Sequence, residues 1–339
     1  MISNTQENQI ILATVIIPCV EKAETWLPLL TDIESQTIMP KEVIFAFNGP
    51  YSHENSSKLK EARNNNSTPV NYIGIDLGEN FLFPGDARNQ GIEAATYDLI
   101  GFLDVKTKPD KSWLEESLEI LHTRSLRIVF GKTKYIAKTK LESLFIDCTY
   151  GRDPLLTIPG SLTYRKIFRE VGYFLPNTRT GEDTDWIERA RNFNHSLTMP
   201  CRPTCTYTST PGSLYKLIKK WFYSYYKCCT IVPHLAVQRL YYLVFFSSII
   251  LLAAYRWNAS IAAWDTESIF YIMYATRTVL ALLVLTYISA RGIVMPLRKK
   301  VPLGSLLPLR FLAIALISGI LDVVKMTAYT SGVLRKIWR

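Results

Sequence analysis

Beyond Gly212 the chain has 16 Lys and Arg but only three acidic residues, and long uncharged apolar runs separate these charges. The 212 residues before that point carry 23 Lys and Arg against 26 Asp and Glu. The formal charge of +10 is therefore the sum of a part at −3 and a part at +13. A single water-filled environment does not sort charge and hydropathy in this way. A slightly acidic part followed by a basic, aromatic and apolar one is the pattern of a soluble domain with a membrane-attached tail. The same clustering argues against a nucleic-acid surface, because the cations lie between apolar runs rather than in one open patch. With 48% hydrophobic and 20% charged residues, the chain can fill a core and is not a disordered polymer.

The tail divides further. Residues 213–230 begin SLYKLIKKWFYSYYK, where Lys216, Lys219, Lys220 and Lys227 interleave with Tyr215, Trp221, Phe222 and three more tyrosines. Cations and amphipathic rings at helical spacing predict a helix lying in the lipid interface. In residues 231–339, two stretches at about 240–257 and 268–290 are long enough to span, the second carrying Arg277 inside it. A third apolar run, 311–321, is short, and within a helix at about 303–328 it suits an interfacial or re-entrant placement better than a crossing. Arg291, Arg298, Lys299 and Lys300 follow the second span, so the positive-inside rule puts this loop and residues 1–212 on the cytosolic side. The opening MISNTQENQ lacks the basic start of a secretory signal. The expected setting is an integral protein of a bacterial plasma (inner) membrane, with six free thiols. Cys201 and Cys205 have no second Cys or His pair to complete a zinc site, and His53, His122, His195 and His234 sit at no catalytic spacing.

In residues 1–212, β-branched runs alternate with helical patterns. ILATVIIP, KEVIFAF, the strand at 70–75 and DLIGFLD are separated by helices near 26–36, 52–64 and 85–95. This βα order predicts an α/β fold with a doubly wound, mainly parallel sheet, whose ligands bind at the carboxyl ends of the strands. Asn48 and Asp104 fall at two such ends.

Three segments then resemble the family-2 inverting glycosyltransferases of the GT-A fold. They are VIIPCVEKAETWLPLLTDIESQTIMPKEVIFAFNGP, GDARNQGIEAATYDLIGFLDVKTKPDKSWLE and IPGSLTYRKIFREVGYFLPNTRTGEDTDWIERA, in that order. The resemblance implies a nucleotide-sugar site made by Pro18, Glu21, Asn48, Arg88, Asn89, Asp104 and Lys106. It implies a catalytic carboxylate in GEDTDW, with Asp183 as the base and Glu182 beside it. Gly160, Ser161, Asp185, Trp186 and Trp221 fall on the implied acceptor side. The chemistry is consistent with these types: departure of a diphosphate needs positive charge nearby, and the attacking hydroxyl needs a carboxylate to take its proton.

The departures are as informative. The family usually has Asp-x-Asp at the strand end, where this chain has Asp104-Val105-Lys106. Asp104 remains as a ligand for Mg²⁺ or Mn²⁺, but an ammonium replaces the second carboxylate, so Lys106 is expected to face the diphosphate itself. Phe47-Asn48 stands where an acidic pair usually meets the base. The Gln of the processive Q-x-x-R-W motif is absent before Trp221, which implies transfer of one sugar. The expected activity is that of a membrane-bound enzyme moving one sugar, with inversion, from a nucleotide sugar to a membrane lipid or lipid-linked acceptor, without nucleic acid. The alternative is a catalytically impaired binding subunit of the same fold.

Overall fold

The structure, a computed structural model, describes residues 9–65, 68–80, 82–193, 196–229 and 235–338. It divides into two compact units. One comprises the chain up to Lys138 together with Pro154–Thr210, and the other comprises Thr139–Asp153 together with Pro211–Arg339.

The first unit runs β1 (Gln9–Cys19), α1 (Ala23–Glu34), β2 (Ile38–Phe47), α2 (Ser52–Asn65), β3 (Asn71–Asp76), α3 (Pro84–Ala94), β4 (Leu99–Phe102), β5 (Thr107–Pro109), α4 (Trp113–Thr123) and β6 (Ile128–Tyr135). After α5 (Lys140–Cys148), which belongs to the second unit, come β7 (Leu155–Tyr164), α6 (Lys166–Val171), α7 (Glu182–Asn192) and β8 (Cys205–Tyr207). Eight strands form one sheet in the order β3-β2-β1-β4-β7-β6-β8-β5. The β3-β2-β1-β4 half is parallel, as the alternation predicts. The other half is mixed, since β7 runs antiparallel to β4 and β6, and β5 to β8.

Side chains alternate across the strands with a period of two. Val15, Ile17, Val43 and Phe45 face a core closed by Trp26 of α1, Leu59 of α2 and Trp113 of α4. Ile16, Ile44 and Ile100 face the opposite core, closed by Ile92 of α3, Phe168 of α6 and Trp186 of α7. Gly91 is what lets α3 lie close on β1: a Cβ there would stand 2.4 Å from Ile16 Cγ2. Buried Glu42 is satisfied from three sides, by the Thr14 hydroxyl at 2.7 Å, the Thr96 amide at 2.9 Å and the Thr96 hydroxyl at 2.7 Å.

The second unit contains α5, α8 (Leu214–Cys228), α9 (Leu235–Ser260), α10 (Ala275–Ser289), a π-helical turn (Ala290–Val294), α11 (Met295–Arg298), α12 (Leu303–Leu306) and α13 (Arg310–Ile337). Thr139 opens α5 by accepting the Glu142 amide at 3.1 Å, the first half of a capping box. Phe145 of α5 packs with Leu217, Val301, Leu306, Ile314, Ile317 and Leu321 in a core of this unit's own. Buried Asp147 accepts from Arg152 Nε at 2.5 Å and Arg310 Nη2 at 2.6 Å.

Three helices are long and apolar enough to cross a membrane: Val237–Ser260, Ala275–Arg298 and Arg310–Ile337. The second begins later than its composition suggests, because Ser268–Tyr274 is turn rather than helix. Arg277 therefore sits in the first turn of α10, over the Tyr274 ring at 5.3 Å, and not deep in a span. The third runs 28 residues, well past the short apolar run in the sequence, and is 39% buried in its most apolar window against 11% and 6% for the others. All six cysteines are free. His195 and His234 lie outside the described residues, and His53 pairs with Asp76.

Candidate active site

The carboxyl ends of β1, β2 and β4 open on a cleft of about 200 Å³. Pro18, Cys19, Val20 and Glu21 line it from β1, Asn48 from β2, and Asp104, Val105 and Lys106 from β4, with Leu82, Pro84, Arg179 and Tyr207 completing it. Five of the seven residues expected at the nucleotide sugar are thus together. Asn48 is fixed because its side-chain oxygen accepts the Leu82 amide at 3.1 Å. Burial pushes the Cys19 thiol up to about 12, so it is not the nucleophile of this cleft.

The other two expected residues, Arg88 and Asn89, do not line the cleft. Both Asn89 amide atoms are taken by Phe174, with Nδ2 donating to its carbonyl at 2.8 Å and Oδ1 accepting its amide at 3.0 Å. Arg88 is buried beneath the carboxylates, at 2% exposure. Its Nη2 donates to Asp104 Oδ1 at 2.9 Å and its Nη1 to Asp183 Oδ1 at 2.7 Å, while Glu182 Oε1 lies 3.6 Å from Nη1. One guanidinium therefore ties the end of β4 to the start of α7. A planar fork can do this where a single ammonium cannot.

Gly181, at φ +97°, starts α7 in a conformation costly for other residues, and Glu182, Asp183 and Asp185 follow in its first turn. Acids there are favoured by the helix dipole, but three carboxylates around one cation leave excess negative charge. Burial, and then the Asp183 charge, push the Glu182 carboxyl up to about 8, so it keeps its proton near neutral pH. Burial raises the Asp183 carboxyl as well, against the pull of Arg88. Asp183 is 35% exposed, whereas Glu182 is 8% exposed. Of the two, Asp183 has access to a substrate.

The residues expected on the acceptor side are dispersed. The Gly160 carbonyl accepts the Trp113 indole at 2.7 Å, and Ser161 is buried in β7. Trp186 is 1% exposed, stacked on Phe168 and bonded to the Gly172 carbonyl at 2.9 Å, so it is core. Asp185 is held by Arg189 at 2.7 Å. Trp221 belongs to the second unit, stacked on Tyr225. Conversely, the sequence reading missed Arg179 and Tyr207. Arg179 lies in a loop anchored where the Asn177 amide donates to Asp86 at 3.0 Å. Its position just before GEDTDW was the one signal available.

The donor set does not fit a divalent cation of the family kind. Asp104 Oδ1 is already taken by Arg88, and Lys106 brings an ammonium where the second carboxylate would stand. Lys106 Nζ is itself 2.7 Å from Glu21 Oε1, so that carboxylate of the cleft is spent on it. Among the described residues, no three or more His, Cys, Asp or Glu form a metal-holding group.

The model of the family "Glycosyl transferase family 2" matches residues 14–174, which include the carboxyl end of β1, α3 and the Asp104 strand end but stop before α7. Glycosyltransferase AglE of Haloferax volcanii is 26% identical over 198 residues, covering 55% of this chain, and the match spans 63% of AglE's own length. Among solved structures, the mannosyltransferase PcManGT of Pyrobaculum calidifontis, in complex with GDP-Man and Mn²⁺, matches with a TM-score of 0.50 and 13% identity, over 93% of this chain and 86% of that one. S. aureus TarS 1-349, in complex with UDP-GlcNAc, matches at 0.45 and 14%, over 95% and 92%. The ordered motifs, the parallel half-sheet with its cleft and the family match agree: residues 14–174 are similar to the family-2 glycosyltransferases, on a sheet of the GT-A kind.

Proposed function

We propose that the enzyme transfers a single sugar, with inversion, from a nucleotide sugar to a lipid or lipid-linked acceptor at a membrane. The observation that carries this reading is the Arg88 bridge, which holds Asp104 at the donor cleft and Asp183 at the start of α7 on one guanidinium. In the proposed reaction the acceptor oxygen attacks the anomeric carbon, and the bond to the diphosphate oxygen breaks as the new bond forms. Asp183 takes the acceptor proton, and the nucleoside diphosphate leaves with the electron pair. Lys106, positioned by Glu21 at the cleft, meets the charge that develops on the diphosphate, with Arg179 also lining the cleft. This pair of cations supports a reaction that does not depend on Mg²⁺ or Mn²⁺. Asn48 is the polar group at the end of β2 for a nucleoside contact.

The membrane setting is supported by the second unit. Tyr215 is 72% exposed on α8, and Phe222 and Tyr223 are exposed beside Lys216, Lys219 and Lys220. Around α9 and α10, Phe245, Phe246, Leu252, Leu282 and Leu285 are more than half exposed, a surface suited to lipid. We place residues 1–212 on the cytosolic side, with α9 and α10 as the spans. The test is incubation of membranes containing the protein with UDP-, GDP- and other nucleotide sugars, followed by extraction of labelled lipid. One donor should label a lipid, and Asp183→Asn should reduce that labelling by about 10²–10⁴-fold. Labelling of no lipid by any donor, or full activity in the variant, would refute the proposal.

A further inference from the structure

Around Asp322, the second unit buries more positive charge than that one carboxylate balances. Arg291, in the π-helical turn, donates from Nη2 to Asp322 Oδ1 at 2.6 Å, and the Tyr287 hydroxyl donates to Asp322 Oδ2 at 3.0 Å. Lys325 Nζ, nearly one turn along α13, is 3.4 Å from the same Oδ1 and 4.9 Å from the centre of the Trp221 ring. These are not surface charges, since Arg291 is 18% exposed, Lys325 15% and Asp322 8%. Lys299 adds a third cation. Burial, then Arg291 and Lys325, push its amine down to about 8. Asp322 thus pairs with two cations, Lys299 donates only to the neutral Thr149 carbonyl, and the tail's other two acids, Asp265 and Glu267, lie in the segment between α9 and α10.

Hydrogen bonding shows the same imbalance. Arg291 Nε and Trp221 Nε1 are buried donors without an acceptor. Buried donors and cations are ordinarily satisfied, and leaving one without a partner is destabilising. A surplus of donors and positive charge calls for a compact ligand that only accepts and is itself negative. A phosphate monoester, with about −1.5 to −2 charge near neutral pH, has this chemistry.

The cluster also lies at a defined end of the helical hairpin. α9 and α10 meet at their far ends, where the Trp257 indole donates to the Phe270 carbonyl at 2.8 Å and Asn258 to the Ile272 carbonyl at 2.7 Å. α13 touches them at the opposite end: Tyr241, near the start of α9, donates to the Met326 carbonyl at 3.0 Å, and Tyr287 lies near the end of α10. That end carries Arg298, Lys299 and Lys300, the side that the positive-inside rule makes cytosolic.

We propose that Arg291, Lys299 and Lys325, with the Trp221 indole, form a site for a phosphate monoester carried by a lipid headgroup or free in solution. The site is one of binding alone and goes beyond the transfer reaction. Its test uses no donor and no turnover, so its failure leaves the catalytic proposal standing.

The full chain in detergent is titrated with dioctanoyl phosphatidate, with dioctanoyl phosphatidylcholine and with inorganic phosphate, and thermal unfolding is followed. Phosphatidate should raise the unfolding temperature saturably, and phosphatidylcholine should not. An equal rise with inorganic phosphate supports the site and names a free phosphate as its ligand; a rise with phosphatidate alone supports it and names a lipid. Lys299→Gln and Lys325→Gln should each weaken phosphatidate binding about tenfold. Without ligand, both should unfold at or above the wild-type temperature, because each removes a surplus buried charge. Equal shifts by phosphatidate and phosphatidylcholine would overturn the site, as would no shift by phosphatidate or wild-type affinity in both variants.

Discussion

Replacing Arg88 by methionine keeps an unbranched side chain in the space and removes the guanidinium. In the intact protein that group is 2.7 Å from Asp183, 2.9 Å from Asp104 and 3.6 Å from Glu182. Without it, the carboxylates face one another with no cation among them. Breaking a fully buried ion pair costs about 3–5 kcal/mol. Asp104 and Asp183 are 36% and 35% exposed, so water recovers part of the loss and about 3 kcal/mol is expected near neutral pH. For a domain of roughly 200 residues, this corresponds to a fall of about 6–12 °C in unfolding temperature. The fall should be smaller near pH 5 than near pH 8, because Glu182, pushed up to about 8, is protonated there and leaves less repulsion for the guanidinium to offset. The assay is tryptophan fluorescence of the full chain in detergent on heating, at about pH 5 and pH 8. A fall below about 2 °C, or the same fall at both pH values, would refute the electrostatic account of Arg88.

Three further outcomes follow from the same site. Turnover should persist in EDTA and drop at least about 10²-fold in Lys106→Ala; complete dependence on added Mn²⁺ would show that a metal, not Lys106, meets the diphosphate. Because Glu182 titrates at about 8 in the folded chain, above its ordinary 4.5, its contribution to stability is present below 4.5 and is lost as pH rises through about 8. Glu182→Gln should therefore flatten the decline in unfolding temperature across that window, and an unchanged slope would place the titration elsewhere. Asn89→Ala strands the Phe174 amide and carbonyl and should cost about 1–3 kcal/mol of stability. If it instead raises the KM for the donor at unchanged stability, Asn89 contacts the nucleotide sugar after all.

The strands around the cleft were legible because a parallel strand buried on both faces leaves a β-branched run, and Pro18 and Asn48-Gly49-Pro50 mark where two of them end. Lys106 was legible as a cation in an acidic position. Its ion pair with Glu21 was not, since only the pairing of β1 with β4 brings these distant positions together. The resemblance implies a donor contact for Arg88, but Arg88 is buried: Gly91, one turn on, lets α3 press close on Ile16 of β1. Trp186 misleads in the same sense: a tryptophan beside a catalytic motif suggests a ligand contact, but its ring completes the core under Phe168 and Phe174. In the tail, apolar composition does not distinguish helix from turn. The α10 boundary lies at Tyr274, whose φ of +59° no hydropathy window reports.

The placement of α5 also affects how the polypeptide can be made or cut. The chain leaves the sheet unit at Lys138, contributes Thr139–Asp153 to the helical unit, returns at Pro154 and leaves again after Thr210. No single scission separates the two units. A fragment ending near residue 212 would carry α5 with Phe145 bare and with Asp147 robbed of Arg310. During synthesis α5 emerges some 160 residues before the α13 segment it needs, so it must wait, half-assembled, until α13 is made. A soluble version of this catalytic domain therefore requires excising α5 and rejoining β6 to β7, rather than truncating the tail.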